Sequence, residues 1–160
     1  MREEKKTILL LGTCNPVGEA EDYNGLYFTD NELQRMHAGG DLKEIPVKQE
    51  HTSTTVGKVV STLLDNHGNL QCILDIDENT IEGGLAAGFV RDGVASELSL
   101  GYIVDVQNSN DKLTAQKKQV VEVSLVRKGA RQNCHIHAYE SQDAALVWKK
   151  GVDSWYAFNI

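Results

Sequence analysis

The chain is poor in cysteine, has no excess of basic residues and contains no long apolar run, and each shortage closes off a class of protein. Its three cysteines, Cys14, Cys72 and Cys134, stand far apart with no Cys-x-x-Cys spacing. An odd, dispersed set reads as reduced thiols of an intracellular protein rather than a disulfide framework, and none sits in a nucleophile motif. Lysine and arginine number 16 against 23 acidic residues, a net charge of -7. Phosphate binding wants a basic patch, so nucleic acid is not an expected partner. The apolar run from Ile8 to Leu11 is too short for a signal-peptide core and far too short for a membrane span, so no membrane association is expected. With no repeat, low-complexity tract or linker, residues 1–160 are expected to form one soluble domain.

What the chain does have is a series of short apolar stretches separated by turn residues. Lys6 to Thr13, Ile45 to Gln49, Val56 to Asp65, Leu70 to Ile76, Ala95 to Gln107, Val120 to Val126 and Ile136 to Tyr139 read as strands. Asn66-His67-Gly68-Asn69 joins two of them as a hairpin. Helices are predicted after Thr29 or Asp30, ending at Gly39-Gly40, and from Thr80 or Glu82 to Gly93 despite three glycines. A third is predicted from Ser141 to Trp148, and the polar stretch Gln107 to Gln119 is expected to be a mobile loop. About seven short strands with a few short helices make an α+β, mainly β fold.

Three segments carry residues suited to acyl transfer. His51 ends the apolar strand Ile45 to Gln49, where an imidazole can act as a general base; the plainer reading is an exposed loop histidine. Ser99 lies between Leu98 and Leu100, before Gly101-Tyr102, and needs a base to become a nucleophile. Otherwise it is a strand hydroxyl bonded to backbone. Ser96 is its rival, on the opposite side of the strand. Glu122 stands in Val120-Val-Glu-Val-Ser-Leu-Val126, where a carboxylate is costly to bury unless paired. Alternation puts Glu122, Ser124 and Val126 on one face, with Val121, Val123 and Leu125 on the other. If the first face is wet, Glu122 is merely solvated. Gly129-Ala130-Arg131 follows directly, a turn able to aim N–H groups and positive charge at an oxyanion, or an ordinary solvated basic turn. His135 and His137 offer half of a metal site without acidic or cysteine partners at supportive spacing, so neither a metal nor another cofactor is expected.

Together these segments resemble the assemblin proteases of herpesviruses and the related prohead proteases of tailed phages. Ile45-Pro46-Val47-Lys48-Gln49-Glu50-His51, running on to Val56-Gly57, is similar to the assemblin Leu-Pro-Leu-x-x-x-His segment followed by Val-Gly. Leu98-Ser99-Leu100 is similar to the nucleophile segment and favours Ser99 over Ser96. Glu122 to Arg131 aligns without a gap on His-Val-x-Leu-x-x-x-Gly-Arg-Arg. Two positions depart from it. Glu122 replaces the second histidine of the assemblin triad, and Glu-Val-Ser-Leu-Val with Ser-x-Gly-Tyr is closer to the phage pattern. Ala130 replaces the first arginine, whose part is played by its backbone N–H.

The resemblance implies a closed assemblin-like β-barrel and a serine endopeptidase with the triad Ser99, His51 and Glu122. It implies an oxyanion hole built from the Ala130 N–H and a water held by Arg131. The implied partner is the scaffold or capsid precursor protein, as substrate, and the implied location is the inside of an immature capsid. That means bacterial cytoplasm for a phage and the host nucleus for a herpesvirus-like virus. A homodimer is allowed, although assemblins use a helix beyond the barrel for it and about twenty residues follow Tyr139 here. The alternatives are a catalytically silent scaffold or capsid-assembly module with the same fold, and a metal-binding protein using His51, His135 and His137.

Overall fold

Alternating apolar side chains, cut by clusters of Gly, Asn and Asp, favour strands over helices along most of this chain. The computed structural model describes residues 6–22, 25–109, 112–140 and 146–148. In order, its elements are β1 (Thr7–Asn15), α1 (Asp30–Gly39), β2 (Pro46–Gln49), β3 (Thr55–Leu64), β4 (Leu70–Asp77), α2 (Ile81–Arg91), β5 (Glu97–Ser109), β6 (Lys112–Val126), β7 (Ile136–Glu140) and β8 (Leu146–Trp148). All eight strands join one sheet in the order β5-β6-β2-β3-β4-β1-β7-β8. Every pairing is antiparallel except β2 with β6.

The sheet curls until its first strand meets its far side. Leu98 N–H donates to Cys134 O (2.7 Å), Ile136 N–H donates to Ser96 O (2.9 Å), and Glu97 bridges His135. The mainly β barrel expected from the sequence is therefore the observed fold. Its interior is filled from every side by residues such as Leu10, Leu74, Ile76, Leu98, Val123 and Leu125, all at most 1% exposed. Each such side chain stabilises the fold by about 1.5–3 kcal/mol relative to exposure.

Both helices start where a hydroxyl is available. Thr29 caps α1 through a reciprocal capping box with Glu32 (3.1 Å in each direction), and Gly40 closes the helix with φ 66°. Leu33 and Met36 turn inward. Thr80 caps α2, which buries Ala86, Ala87 and Val90. One end of the barrel holds a buried polar chain. Asp65 accepts from Gln71 Nε2 (2.9 Å), Gln71 Oε1 accepts from the Thr13 hydroxyl (3.0 Å), and Thr13 Oγ1 meets His137 Nε2 at 2.7 Å.

Three expectations need correction. The stretch expected to be a loop from Gln107 to Gln119 is largely strand, with Gln107 paired to Thr114 and Ser109 to Lys112. Backbone pairing between two strands does not depend on side-chain type, so this ladder requires no apolar alternation. The helix predicted from Ser141 to Trp148 is instead strand at Leu146–Trp148, paired with β7, and 141–145 lie outside the described residues. Alternation groups Val121 with Val123 and Leu125, but those two are fully buried while Val121 is 37% exposed. The register steps from Gly101↔Glu122 to Tyr102↔Val120, so Val121 is the extra residue of a bulge.

Candidate active site

β5, β6 and β2 are neighbours, and each brings one group to the same face of the sheet. On the β5–β6 ladder Ser99 lies opposite Ser124, and Gly101 opposite Glu122. Directly paired residues share a face, so Ser99 and Glu122 project together while Leu98, Leu100, Val123 and Leu125 fill the core. The glycine is needed there. A Cβ on Gly101 would stand 2.3 Å from Glu122 Cγ and 2.4 Å from its Oε1, so the carboxylate lies across the bare backbone of β5.

His51 arrives from the end of β2. Parallel pairing sets Gln49 beside Leu125, and Glu50 N–H extends the ladder to Leu125 O (3.0 Å). The chain then doubles back. Glu50 and His51 both adopt left-handed backbone, φ 49° and 57°, and Thr52 N–H closes the turn on Gln49 O (3.0 Å). Two consecutive non-glycine residues in this region are costly and persist only when the surroundings hold them. The holders are visible. Glu50 Oε1 accepts from Arg127 N–H (2.9 Å), and His51 N–H donates to Ser124 Oγ (3.1 Å).

The turn aims the imidazole between the other two groups. His51 Nδ1 is 2.8 Å from Glu122 Oε1, and Nε2 is 3.1 Å from Ser99 Oγ. A carboxylate only accepts, so the neutral ring carries its proton on Nδ1 and offers Nε2 to the Ser99 hydroxyl. Glu122 Oε2 also accepts from Ser124 Oγ (3.2 Å). Ser99 is 5% exposed, and the Glu122 and His51 side chains are 16% and 43% exposed. The arrangement can move a proton from a hydroxyl to an imidazole whose resulting charge faces a fixed carboxylate.

The Gly129-Ala130-Arg131 turn packs against β5, the strand of Ser99. Gly129 N–H donates to Glu97 Oε1 (2.7 Å), and a Cβ on Gly129 would lie 2.8 Å from Leu98 O, so only glycine permits this approach. Gly129, Ala130, Arg131 and Glu97 line one side of a cleft of about 630 Å³. Arg127 and Lys128 are exposed, but Arg131 is not the solvated residue of an ordinary basic turn. Its side chain is 2% exposed; Nε donates to Ala20 O (3.1 Å) and Nη2 to Tyr102 Oη (2.8 Å), with Asp22 at 3.9 Å. The guanidinium also stacks on Phe28 and Tyr102, at 5.3 and 5.2 Å. Burial and the hydrogen bond to Asp22 push the Tyr102 hydroxyl up to about 12, so it stays protonated.

The other sequence candidates fall elsewhere. Ser96 uses its backbone in closing the barrel. His135 stands 3.7 Å from Glu97 on the surface, and His137 belongs to the buried polar chain. Among the described residues no group of three His, Cys, Asp or Glu side chains could hold a metal ion. Burial raises the Cys134 thiol to about 12 and Cys14 well above its ordinary value, which leaves neither as a thiolate nucleophile. Sequence reading did not pick out Ser124, Asp22 or Phe28 for any role. A serine inside a strand is unremarkable, and Asp22 and Phe28 come from a loop with no motif.

No protein-family profile matches the chain, and no curated protein sequence matches it. Solved structures do. The chain is similar to the KSHV protease, solved in complex with a hexapeptide phosphonate inhibitor, with TM-score 0.57 and 17% identity over 86% of this chain and 66% of that one. It is also similar to the varicella-zoster virus protease, with TM-score 0.51 and 14% identity over 84% of this chain and 64% of that one. The chain thus spans just under two thirds of the length of each. At these identities the likeness establishes the fold, which is that of the herpesvirus proteases.

Proposed function

We propose that the protein is a serine endopeptidase of viral capsid maturation, acting on the internal scaffold or capsid precursor. The observation that supports this most is the continuous hydrogen-bonded path from Glu122 through His51 to Ser99. It occurs on a fold shared with viral proteases, one of which takes a hexapeptide phosphonate. Ser99 Oγ attacks the scissile carbonyl carbon as its proton passes to His51 Nε2. The C–N bond breaks when His51 returns that proton to the leaving amine. Water then repeats the sequence on the acyl-Ser99 ester and regenerates the hydroxyl. Glu122 holds the ring tautomer and stabilises the imidazolium while it exists.

In this reading the Ala130 N–H is the oxyanion donor, worth about 3 kcal/mol in the transition state. Arg131, fixed behind the turn, supplies positive charge and holds a water at the oxyanion. The protein's place would be the interior of an immature capsid, where scaffold is the available substrate. The test is reaction with a fluorophosphonate probe. Ser99 is expected to be the labelled residue, and labelling is expected to vanish in His51→Ala. Labelling elsewhere, or none in the parent protein, would favour a silent assembly module with the same fold.

A further inference from the structure

Ser124 stands two residues beyond the acid on β6, opposite Ser99, and has no solvent exposure. A strand serine usually bonds to a nearby backbone carbonyl and has no further consequence. This one is committed differently. Its hydroxyl donates to Glu122 Oε2 (3.2 Å), and its oxygen accepts from the His51 backbone N–H (3.1 Å). The first bond ends on a carboxylate and is therefore among the stronger kind. It ties down Oε2 and leaves Oε1 to face His51 Nδ1. The second secures the peptide of a histidine whose φ of 57° no strand or helix provides.

We infer that Ser124 is a positioning residue: a single hydroxyl that sets the rotation of the Glu122 carboxylate and, together with it, the backbone from which the His51 ring projects. The inference rests on the assignment of Ser99, His51 and Glu122 proposed above. Coupling the two explains how a base on an exposed turn and an acid on a strand keep one geometry without a common element. Because Ser124 is fully buried, it acts through its neighbours and does not touch a substrate.

Removing the hydroxyl should therefore lower kcat and leave KM alone. For Ser124→Ala the expected loss in kcat, and in the rate of Ser99 phosphonylation by the fluorophosphonate, is about tenfold, the scale of one hydrogen bond to a charged group. Ser124→Thr keeps the hydroxyl and Ser124→Val has the same shape without it, so Thr should be the faster of that pair. A second measurement is independent of turnover. The proton on His51 Nδ1, bonded to Glu122, should give a downfield imidazole N–H resonance in the parent protein, absent in His51→Ala. It should shift or broaden in Ser124→Ala and Ser124→Val but persist in Ser124→Thr. Wild-type phosphonylation and an unchanged resonance in Ser124→Ala would overturn the inference, as would Thr behaving no better than Val. If the parent protein carries the resonance but Ser99 is never labelled, the catalytic reading fails while the resonance still decides the role of Ser124.

Discussion

Glu122 is 16% exposed, yet each of its oxygens has a partner, His51 Nδ1 on one and Ser124 Oγ on the other. Its charge is compensated by protein rather than by water, which is what a carboxylate in an apolar strand requires. Glu122→Gln keeps the shape and removes the charge that would stabilise the imidazolium. Turnover should fall at least tenfold with KM little changed, in peptide-cleavage kinetics; unchanged turnover would exclude the role. At this scale the sequence was informative wherever a residue was out of place. A lone acid among valines, a histidine at a strand end and a serine between leucines all stand out. Ser124 does not, because a hydroxyl fits any strand and its importance comes from two partners, one of them 73 positions away. Nor could burial of Arg131 be read from its own turn, since the carbonyl that accepts from its Nε belongs to Ala20.

Among the elements, the β5–β6 pair carries most of the site, and its register is set to accommodate one side chain. With Gly101 opposite Glu122, the strands stay paired while the carboxylate crosses to His51. In Gly101→Ala the new methyl stands 2.3 Å from Glu122 Cγ, far inside contact distance, so the acid must swing away from His51. The rate of Ser99 phosphonylation should drop by an order of magnitude or more. The urea midpoint should shift much less, because strand pairing survives an alanine. Most elements were legible from alternation, turn residues and caps: both helices begin at the threonines that the sequence offers, Thr29 and Thr80. The outer part of the β5–β6 hairpin was not, because paired polar strands leave no apolar pattern. The bulge at Val121 was not either, since strict alternation assumes that no residue is skipped.

Across the whole molecule, the polar chain at the barrel end makes stability depend on acidity. Burial, with the neighbouring His135 adding to it, lowers the His137 pKa to about 4, and Asp65 only partly opposes this. In the unfolded chain the same imidazole titrates near 6.5. Between these values the unfolded state binds the extra proton, so stability is fully present above about pH 6.5 and declines as pH falls towards about 4. The loss from this group is about 3 kcal/mol. Urea midpoints at pH 7 and pH 4.5 should therefore differ more for the parent protein than for His137→Gln; equal differences would assign the acid sensitivity to other groups. Closure of the barrel was the global property least visible in the sequence. The contacts that make it, Ser96 with Ile136 and Leu98 with Cys134, join backbone groups that have no side-chain signature.

The parallel pairing of β2 with β6 carries one more consequence, and it concerns timing. Parallel neighbours cannot be joined by a tight turn, and here β3, β4, α2 and β5 all intervene before β6. A chain emerging from its N-terminus has His51 early and Ser99 later, but lacks both Glu122 and the strand that receives β2 until residues 120–126 exist. On the proposed assignment a partly made barrel would therefore be inert. On the proposed reading the site is assembled only when the last long strand slots between its two neighbours, so competence to cut would report that the fold is complete.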